Sequence, residues 1–338
     1  MSSSYHKGTV YKKLGLITLF FLFGLILIGG IVRTTGAGMG CPDWPQCFGM
    51  WIPPTNVSQL PENYQEIYKD HGYASMEFNA VRTWTEYINR LFGALTGLFI
   101  LATLIASFPY LKRDSTVFYL SLAAFLMVCF EGWLGAKVVA SNLAPKMVTI
   151  HLLVAFLIVA TLIYALLRAY HLPPNSLSNT GSGQYKTIQL IAIPAIVVTL
   201  VQVIIGTFVR QEVTELTHLL PSAESWLVQS AATLPLHRSL AWLVIATNGL
   251  LIYMIIKKFG WKGEIIWAAV GVCLVTAAQI LTGILLTYFG FPPAAQALHI
   301  LLAAMLFGFQ IWILGIASLA IRYNEVERKS LKFEFSLK

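Results

Sequence analysis

The chain has 338 residues, of which 57% are hydrophobic and 11% are charged, and its mean hydropathy is +0.70. This composition excludes a soluble domain of this length, so we predict an all-α integral membrane protein. The net charge of +8 comes from basic residues scattered over short segments, which argues against nucleic-acid binding.

Eight apolar runs follow one another along the chain, and each reaches about the 18 residues that a membrane-spanning helix needs. They lie at about 14–32, 86–108, 116–139, 147–167, 187–209, 235–256, 264–287 and 293–321. The first run follows Lys12 and Lys13, as the apolar core of a signal peptide does, but it is longer than such a core and lacks a small-residue cleavage pattern. We expect it to remain as the first transmembrane helix.

The distribution of lysine and arginine predicts the orientation of the helices. With the N-terminus inside, 15 of the 23 basic residues fall on cytoplasmic segments, so both termini are predicted to be cytoplasmic. Four of the remaining basic residues lie at the outer ends of helices, where a bound anion would hold them. They are Arg33, Arg90, Arg210 and Arg238. If the ligand is a haem, its anions are propionates, so these four arginines are the candidate propionate contacts.

The predicted organisation is two halves of four helices joined by a linker. The first half covers 1–170 and includes a long outer loop at 34–85. A Pro-rich, then Ser/Asn/Gly-rich, cytoplasmic linker follows at 171–186, and the second half covers 187–321. Residues 322–338 are predicted to be a cytoplasmic tail.

The two halves are predicted to be duplicated four-helix bundles in parallel orientation, related by an axis along the membrane normal. At an offset of 148 residues, Arg90 matches Arg238 and His151 matches His299. The same offset relates Gly135 to Gly283 and Glu131 to Gln279, and the first helices of the two halves end alike at Arg33 and Arg210.

Two histidines in the second half are candidate ligands of a haem iron. His237 is followed by Arg238 and, after 62 residues, by His299. A histidine within a bilayer is costly unless it has a partner, and two imidazoles with an adjacent guanidinium suit an iron and a propionate. Both imidazoles reach one iron only if the sixth and eighth helices are neighbours. The alternative is that each histidine only hydrogen-bonds another helix.

The first half has the same spacing with one imidazole fewer, because Asn89 and His151 are 62 residues apart. An amide is a poor iron ligand, so His151 alone matches a ligand position. Glu86 lies one helical turn before Asn89, whereas its counterpart in the second half is Leu234. Glu86 is therefore the candidate catalytic acid, base or cation stabiliser, the alternative being an idle, solvated carboxylate.

Cysteine placement predicts a covalent link outside the membrane. Cys41 and Cys47 lie close together on the outer side, where an oxidising compartment favours a disulfide over free thiols or a metal site. Cys129 and Cys273 lie within helices and are off the repeat register, so we expect apolar core residues.

Glu131 is an acid in the middle of the third helix, and a buried membrane acid is either functional or protonated and structural. Lys137 lies roughly on the opposite side of that helix and is not an expected partner.

Several segments of the chain together resemble the haem A synthase family of respiratory-chain assembly enzymes. They are GGIVRTTG at 29–36, CPDWP at 41–45, EYINR at 86–90, GWLG at 132–135, LAP at 143–145 and the histidines at 151, 237 and 299. The resemblance implies that haem O, supplied by a haem O synthase, is oxidised at a methyl group to the formyl group of haem A by two successive hydroxylations.

The same resemblance implies a role for each matched residue. Glu86 matches the catalytic glutamate, and His151 matches a ligand of the substrate haem. His237 and His299 match the ligands of a permanent haem b that relays electrons, and Cys41 and Cys47 match a disulfide pair.

Asn89 departs from the family pattern, which has histidine there, so we hypothesise that the first half leaves one face of the iron open. The competing functions are a quinol-linked dihaem b electron carrier and a porphyrin-binding protein that delivers haem. We expect a bacterial plasma membrane protein, in contact with lipid, with its haem sites toward the outer face. The sequence identifies neither the electron donor nor the oxygen source, and it is compatible with a homo-oligomer.

Overall fold

The computed structural model describes residues 2–170, 182–219 and 233–336, and within them eight long helices. They are α1 (Ser2–Thr34), α2 (Ala80–Ser107), α3 (Ser115–Ala140), α4 (Pro145–Tyr170), α5 (Ser182–Leu219), α6 (Thr233–Phe259), α7 (Glu264–Tyr288) and α8 (Pro293–Ser336). All eight are long and apolar enough to cross a membrane. The prediction of a multi-pass, all-α membrane protein is therefore confirmed.

The ends of some predicted segments differ from the observed ones. The helix α8 continues to Ser336, so most of the predicted tail 322–338 is helical. The predicted linker 171–186 overlaps the start of α5 at Ser182, and its residues 171–181 lie outside the described residues. The first outer loop is 35–79, because α2 begins at Ala80, where Asn79 caps it by accepting a hydrogen bond from the Arg82 amide at 3.1 Å.

The helices pack in the same cyclic order in each half. In the first half α1 packs on α2, α2 on α3, α3 on α4 and α4 on α1. In the second half the order is α5, α6, α7, α8 and back to α5. Contacts of α8 with α1 and α4 join the two bundles. This order agrees with the predicted duplication, although the symmetry axis itself stays a prediction.

Two expectations about the interior need correction. The sixth and eighth helices are not neighbours, because α6 and α8 each pack on α5 and α7 and so lie diagonally across the second bundle. Cys129 and Cys273 are exposed on the outside of their helices instead of buried in the core. In a membrane protein an outward-facing position is as apolar as the core, so an apolar thiol suits either.

An ion pair between α3 and α4 fixes the end of the first bundle opposite the outer loop. Asp114 caps α3 by accepting from the Thr116 amide at 3.2 Å, and both its oxygens accept from the Arg168 guanidinium, at 2.8 and 2.9 Å. Burial alone would raise the pKa of Asp114, but the bonds from Arg168 outweigh it and the pKa lies below its ordinary value.

The outer loop 35–79 has its own small core of aromatic rings. Phe48 packs edge-on against its neighbours, with ring centroids 5.2 Å from Tyr73 and 5.4 Å from Tyr68. The Cys41–Cys47 disulfide lies beside this cluster, and both cysteines are fully buried. The predicted disulfide is thus confirmed, and it closes the loop above the start of α2.

Candidate functional site

A cavity of about 720 Å³ lies within the second bundle, and both predicted iron ligands line it. The ring centroids of His237 and His299 are 6.4 Å apart, with the ring planes at 59°. Their diagonal placement on α6 and α8 brings the two rings together across the bundle interior. The cavity size is in the ordinary range for a site that encloses a cofactor.

Neighbouring side chains hold the two histidines, His299 through its ring and both residues through their main-chain carbonyls. The Nδ1 atom of His299 lies 2.7 Å from the Thr282 hydroxyl. The Gln279 and Gln202 amides donate to the main-chain carbonyls of His299 and His237, each at 2.8 Å. The buried Nδ1 of His237 has no hydrogen-bond partner among the described residues.

The spacing of the two rings fits a haem iron between them. Imidazole nitrogens bind first-row metals at about 2 Å, so two such bonds and two half-rings place the ring centroids roughly 6 Å apart. The observed separation is 6.4 Å. A direct hydrogen bond between the histidines would bring the rings closer on one edge, so the arrangement suits a bridging metal better than a structural contact.

Three of the four predicted propionate contacts line this same cavity. Arg210 and Arg238 come from the second bundle, and Arg33 reaches it from the end of α1 in the first bundle. The charges of Arg33 and Arg210 repel each other, and the buried Nε of Arg210 has no partner in the described part of the chain. Carboxylates in the cavity would relieve both costs.

The first bundle repeats the backbone setting of these positions with different side chains. A Cβ atom on Gly206 would meet the His237 ring at 3.1 Å, and a Cβ on Gly29 would lie 3.9 Å from the Asn89 amide oxygen. That oxygen is buried and has no hydrogen-bond partner among the residues described. Asn89 thus occupies the place of His237 with an unsatisfied acceptor.

His151 in α4 has a charged partner that the sequence did not predict. Its Nδ1 contacts the Oε2 atom of Glu131 in α3. Glu131 is buried, whereas the exposed fraction of the His151 side chain is 42%. The carboxylate therefore covers one nitrogen of the ring and leaves much of the ring accessible.

Glu86 is buried, which corrects the alternative of a solvated carboxylate. Its Oε2 accepts from the Cys41 amide at 2.9 Å, and its Oε1 accepts from the Nε and Nη2 groups of Arg90. Arg90 also donates to the main-chain carbonyls of Cys41, Asp43 and Gln46.

Arg90 therefore holds the disulfide loop and not an external anion. Its five N–H groups all point at protein oxygens, which leaves no donor for a propionate. Arg90 is therefore not a propionate contact in this arrangement.

The loop backbone lies directly on the start of α2. A Cβ on Gly40 would lie 2.5 Å from the Arg82 carbonyl oxygen.

Three functional contacts were missed by the sequence reasoning. Thr282 orients His299, Glu131 binds His151, and Asp43 fixes the disulfide loop by accepting from the Phe48 and Gly49 amides at 2.6 and 2.7 Å. Of these three contacts, only the one between Glu131 and His151 joins two residues that the sequence had singled out, and they lie in adjacent helices.

Comparison with known proteins identifies a family over most of the length and related proteins over about half of it. The sequence profile of the family described as cytochrome oxidase assembly protein matches residues 12–311. A protein of Shewanella oneidensis named heme A synthase is 34% identical over 152 residues, which are 45% of this chain and 43% of that protein.

Two further relatives also carry the name heme A synthase. The protein of Pelagibacter ubique is 30% identical over 171 residues, which cover 46% of this chain and 50% of the relative. The protein of Rickettsia prowazekii is 26% identical over 213 residues, which cover 60% and 62%. The chain spans about half the length of the first curated relatives it matches.

Proposed function

Because the chain belongs to the cytochrome oxidase assembly protein family, we propose that it is a haem A synthase, which oxidises a methyl group of haem O to a formyl group. The observation that carries the proposal is the pair of imidazoles, His237 and His299, facing each other across a cavity that three arginines line. Relatives named heme A synthase support the same reaction.

The second bundle would hold a resident haem b. His237 and His299 would bind its iron, and Arg33, Arg210 and Arg238 would bind its propionates. When bound, the group supplies one-electron transfer. Because His237 and His299 would both be taken up as ligands, this site would serve electron transfer and not the binding of a substrate.

The first bundle would hold haem O. His151 would bind its iron from one side, and Asn89 would leave the other side open, since an amide oxygen is a weak ligand. Each hydroxylation replaces one C–H bond of the methyl group by C–OH and is a two-electron oxidation. Either dioxygen supplies the oxygen atom and is reduced to water with two electrons and two protons from the donor, or water supplies the oxygen atom and an electron acceptor removes two electrons as two protons leave. Two hydroxylations of the same carbon give a gem-diol that loses water to form the aldehyde.

Glu86 would place a negative charge beside this reaction. It lies one helical turn before Asn89 and is nearly dehydrated, so its charge acts at low dielectric. In the present arrangement its oxygens accept from Arg90 and Cys41. Because Arg90 compensates the charge of Glu86 in this arrangement, both stabilisation of positive charge on the substrate and proton transfer require the bonds from Arg90 to open.

The setting of the reaction follows from the fold and the basic residues. The protein spans the membrane several times. The ligand positions and the outer loop lie at the same end of the bundles, which the distribution of lysine and arginine assigns to the outer face of a bacterial plasma membrane. Haem O would arrive from a haem O synthase, and an electron donor must act with the protein.

The test is to express the full chain with a source of haem O and to identify the extracted haems by chromatography. We expect haem A from the wild type. Glu86→Gln should lower haem A formation by about 100-fold, the lower range for loss of an acid or base. Glutamine keeps an acceptor oxygen for Cys41, so this variant removes the charge with little change in shape.

Asp43→Asn is the matched control, because it weakens the same disulfide loop and leaves Glu86 in place. It should retain most of the haem A formation. Equal losses in both variants would assign the effect to the loop and reject a catalytic role of Glu86. Recovery of only haem b and unaltered haem O from the wild type would support an electron carrier or a haem-delivery protein instead.

A further inference from the structure

We propose that Glu131 is a positioning residue that makes His151 a stronger iron ligand than the histidines of the second bundle. The inference rests on the proposed function, in that it takes His151 as the ligand of a haem in the first bundle. It assigns a task to an acid in the middle of a membrane-spanning helix, which the proposed reaction otherwise leaves unexplained.

The contact itself is direct and shielded from water. The Oε2 atom of Glu131 touches Nδ1 of His151, and the carboxyl side chain is only 9% exposed. The second oxygen, Oε1, is buried without a hydrogen-bond partner in the part of the chain that the structure describes. Lys137 of the same helix is turned to the Trp133 ring, with its ammonium 5.7 Å from the ring centroid.

The contact determines how His151 presents its ring. The nitrogen that binds a metal is set by the hydrogen bond that the other nitrogen makes. Donation of Nδ1–H to the carboxylate that touches it would leave the Nε2 lone pair for iron and would raise the electron density of the imidazole. Such a ligand stabilises ferric iron over ferrous iron more than a neutral imidazole does.

The second bundle has a different arrangement at the same positions. Gln279 replaces Glu131 and donates to the His299 carbonyl at 2.8 Å, and among the described residues it makes no hydrogen bond to the His299 ring. The His299 Nδ1 atom is instead 2.7 Å from the neutral hydroxyl of Thr282, whose counterpart in the first bundle is Leu134.

The number of imidazoles in a bundle and the partner of the histidine Nδ1 differ together. The bundle with two facing imidazoles supports one of them with a neutral hydroxyl. The bundle with a single imidazole supports it with a carboxylate. A stronger donor on one side compensates for the ligand missing at Asn89, and it suits an iron that must activate an oxidant and not only pass electrons.

The experiment adds haemin as a probe to the purified full-length protein that already carries its resident haem. Difference spectra between one and two haems per chain isolate the added haem. In Glu131→Gln we expect haemin affinity at the added site to fall about tenfold, as for other residues that support metal ligands. The iron–histidine stretching frequency of the reduced form should also fall.

The redox equilibrium gives a second readout that does not depend on turnover. A tenfold shift toward ferrous iron in Glu131→Gln corresponds to a rise of about 59 mV in the midpoint potential of the added haem. Glu131→Asp keeps the charge but withdraws the carboxylate, so its frequency and potential should lie between those of the wild type and of Glu131→Gln. Glu264→Gln, the same change at an exposed site at the opposite end of the bundles, should alter neither value.

The outcomes separate this inference from the proposed function. A wild type that takes up no second haem would reject the substrate site in the first bundle, and the inference with it. Uptake with the same frequency and potential in wild type, Glu131→Gln and Glu131→Asp would reject the role of Glu131 alone. An unchanged spectrum of the resident haem shows that each variant is folded, and a merely structural Glu131 would leave the iron–histidine frequency unmoved.

Discussion

In the second bundle two imidazoles face each other across a cavity, whereas in the first bundle Asn89 takes the place of one of them. A glycine lies at a matching place beside a histidine in each bundle. Gly135 lies beside the His151 ring as Gly283 lies beside the His299 ring, with a Cβ atom at 3.9 and 3.8 Å. At these positions the bundles therefore differ in side-chain chemistry and agree in the packing of the glycine.

The arginine that follows each of these positions shows the same divergence. Arg238 lines the cavity of the second bundle. Its counterpart Arg90 is turned to the outer loop, where it binds Glu86 and three main-chain carbonyls. One bundle thus uses the guanidinium to line a ligand cavity, and the other uses it to fix the loop 35–79.

The largest effect should come from removing a ligand of the second bundle. His299→Ala leaves one imidazole for the iron, and we expect nearly all resident haem to be lost from the purified protein. The measurement is the haem content per chain by the pyridine haemochrome spectrum. His151→Ala, the matched change in the first bundle, should keep the resident haem, and equal losses in both variants would contradict the division of tasks between the bundles.

The second change makes the first bundle resemble the second. Asn89→His restores an imidazole opposite His151, so haemin bound there should become six-coordinate and low-spin. The rate of haem A formation should change by about tenfold, a barrier change of about 1.4 kcal/mol. Absorption spectra and haem extraction measure the two effects. An unchanged spin state together with an unchanged rate would reject the open iron site.

The helices and the disulfide were predictable because each depends on a local property of the sequence. Runs of apolar residues long enough to span a bilayer gave all eight helices, and the short spacing of Cys41 and Cys47 gave the disulfide. The spacing of His237 and His299 predicted that their rings lie close together, and they do. The prediction that their helices are neighbours was wrong, because α6 and α8 lie diagonally across the bundle.

The side-chain contacts were not predictable, because they depend on how each helix is rotated. In a membrane, an apolar residue is equally stable toward lipid or toward another helix, so composition did not show that Cys129 faces outward. Thr282 carries no charge and no rare spacing, and nothing in the sequence sets it apart from other helical threonines. The role of Arg90 depended on where the loop returns, which the sequence does not encode locally.

A smaller effect should follow from removing the neutral partner of His299. Thr282→Val takes away the hydroxyl at Nδ1 and keeps the side-chain shape, so the resident haem should bind about tenfold more weakly. Haem transfer to apomyoglobin measures the release. Thr287→Val is the control, since Thr287 lines the cavity and bonds only its own helix, at the Gly283 carbonyl. Similar release from both variants would show that Thr282 does not support the ligand.

The smallest effect concerns the outer loop 35–79. No counterpart of this loop lies among the described residues of the second bundle. The Tyr73 hydroxyl donates to the Met39 carbonyl at 2.9 Å, and burial, with a contribution from the charge of Glu86, raises its pKa above the ordinary 10.0. The neutral hydroxyl is thus favoured in the folded loop. Its stabilisation is complete below pH 10 and is lost as the pH rises from there through the raised pKa, because the unfolded loop ionises first.

Near-UV circular dichroism of the aromatic cluster during thermal unfolding tests this dependence. At pH 8 the Tyr73→Phe variant should be less stable than the wild type by about 1 kcal/mol, the usual net value of a hydrogen bond. Above pH 10 the difference should shrink, because only the wild type loses the contribution of this hydroxyl. Tyr119→Phe, at an exposed position on α3, serves as the control. A difference that stays constant from pH 8 to beyond pH 10 would show that the Tyr73 hydroxyl does not stabilise the loop 35–79.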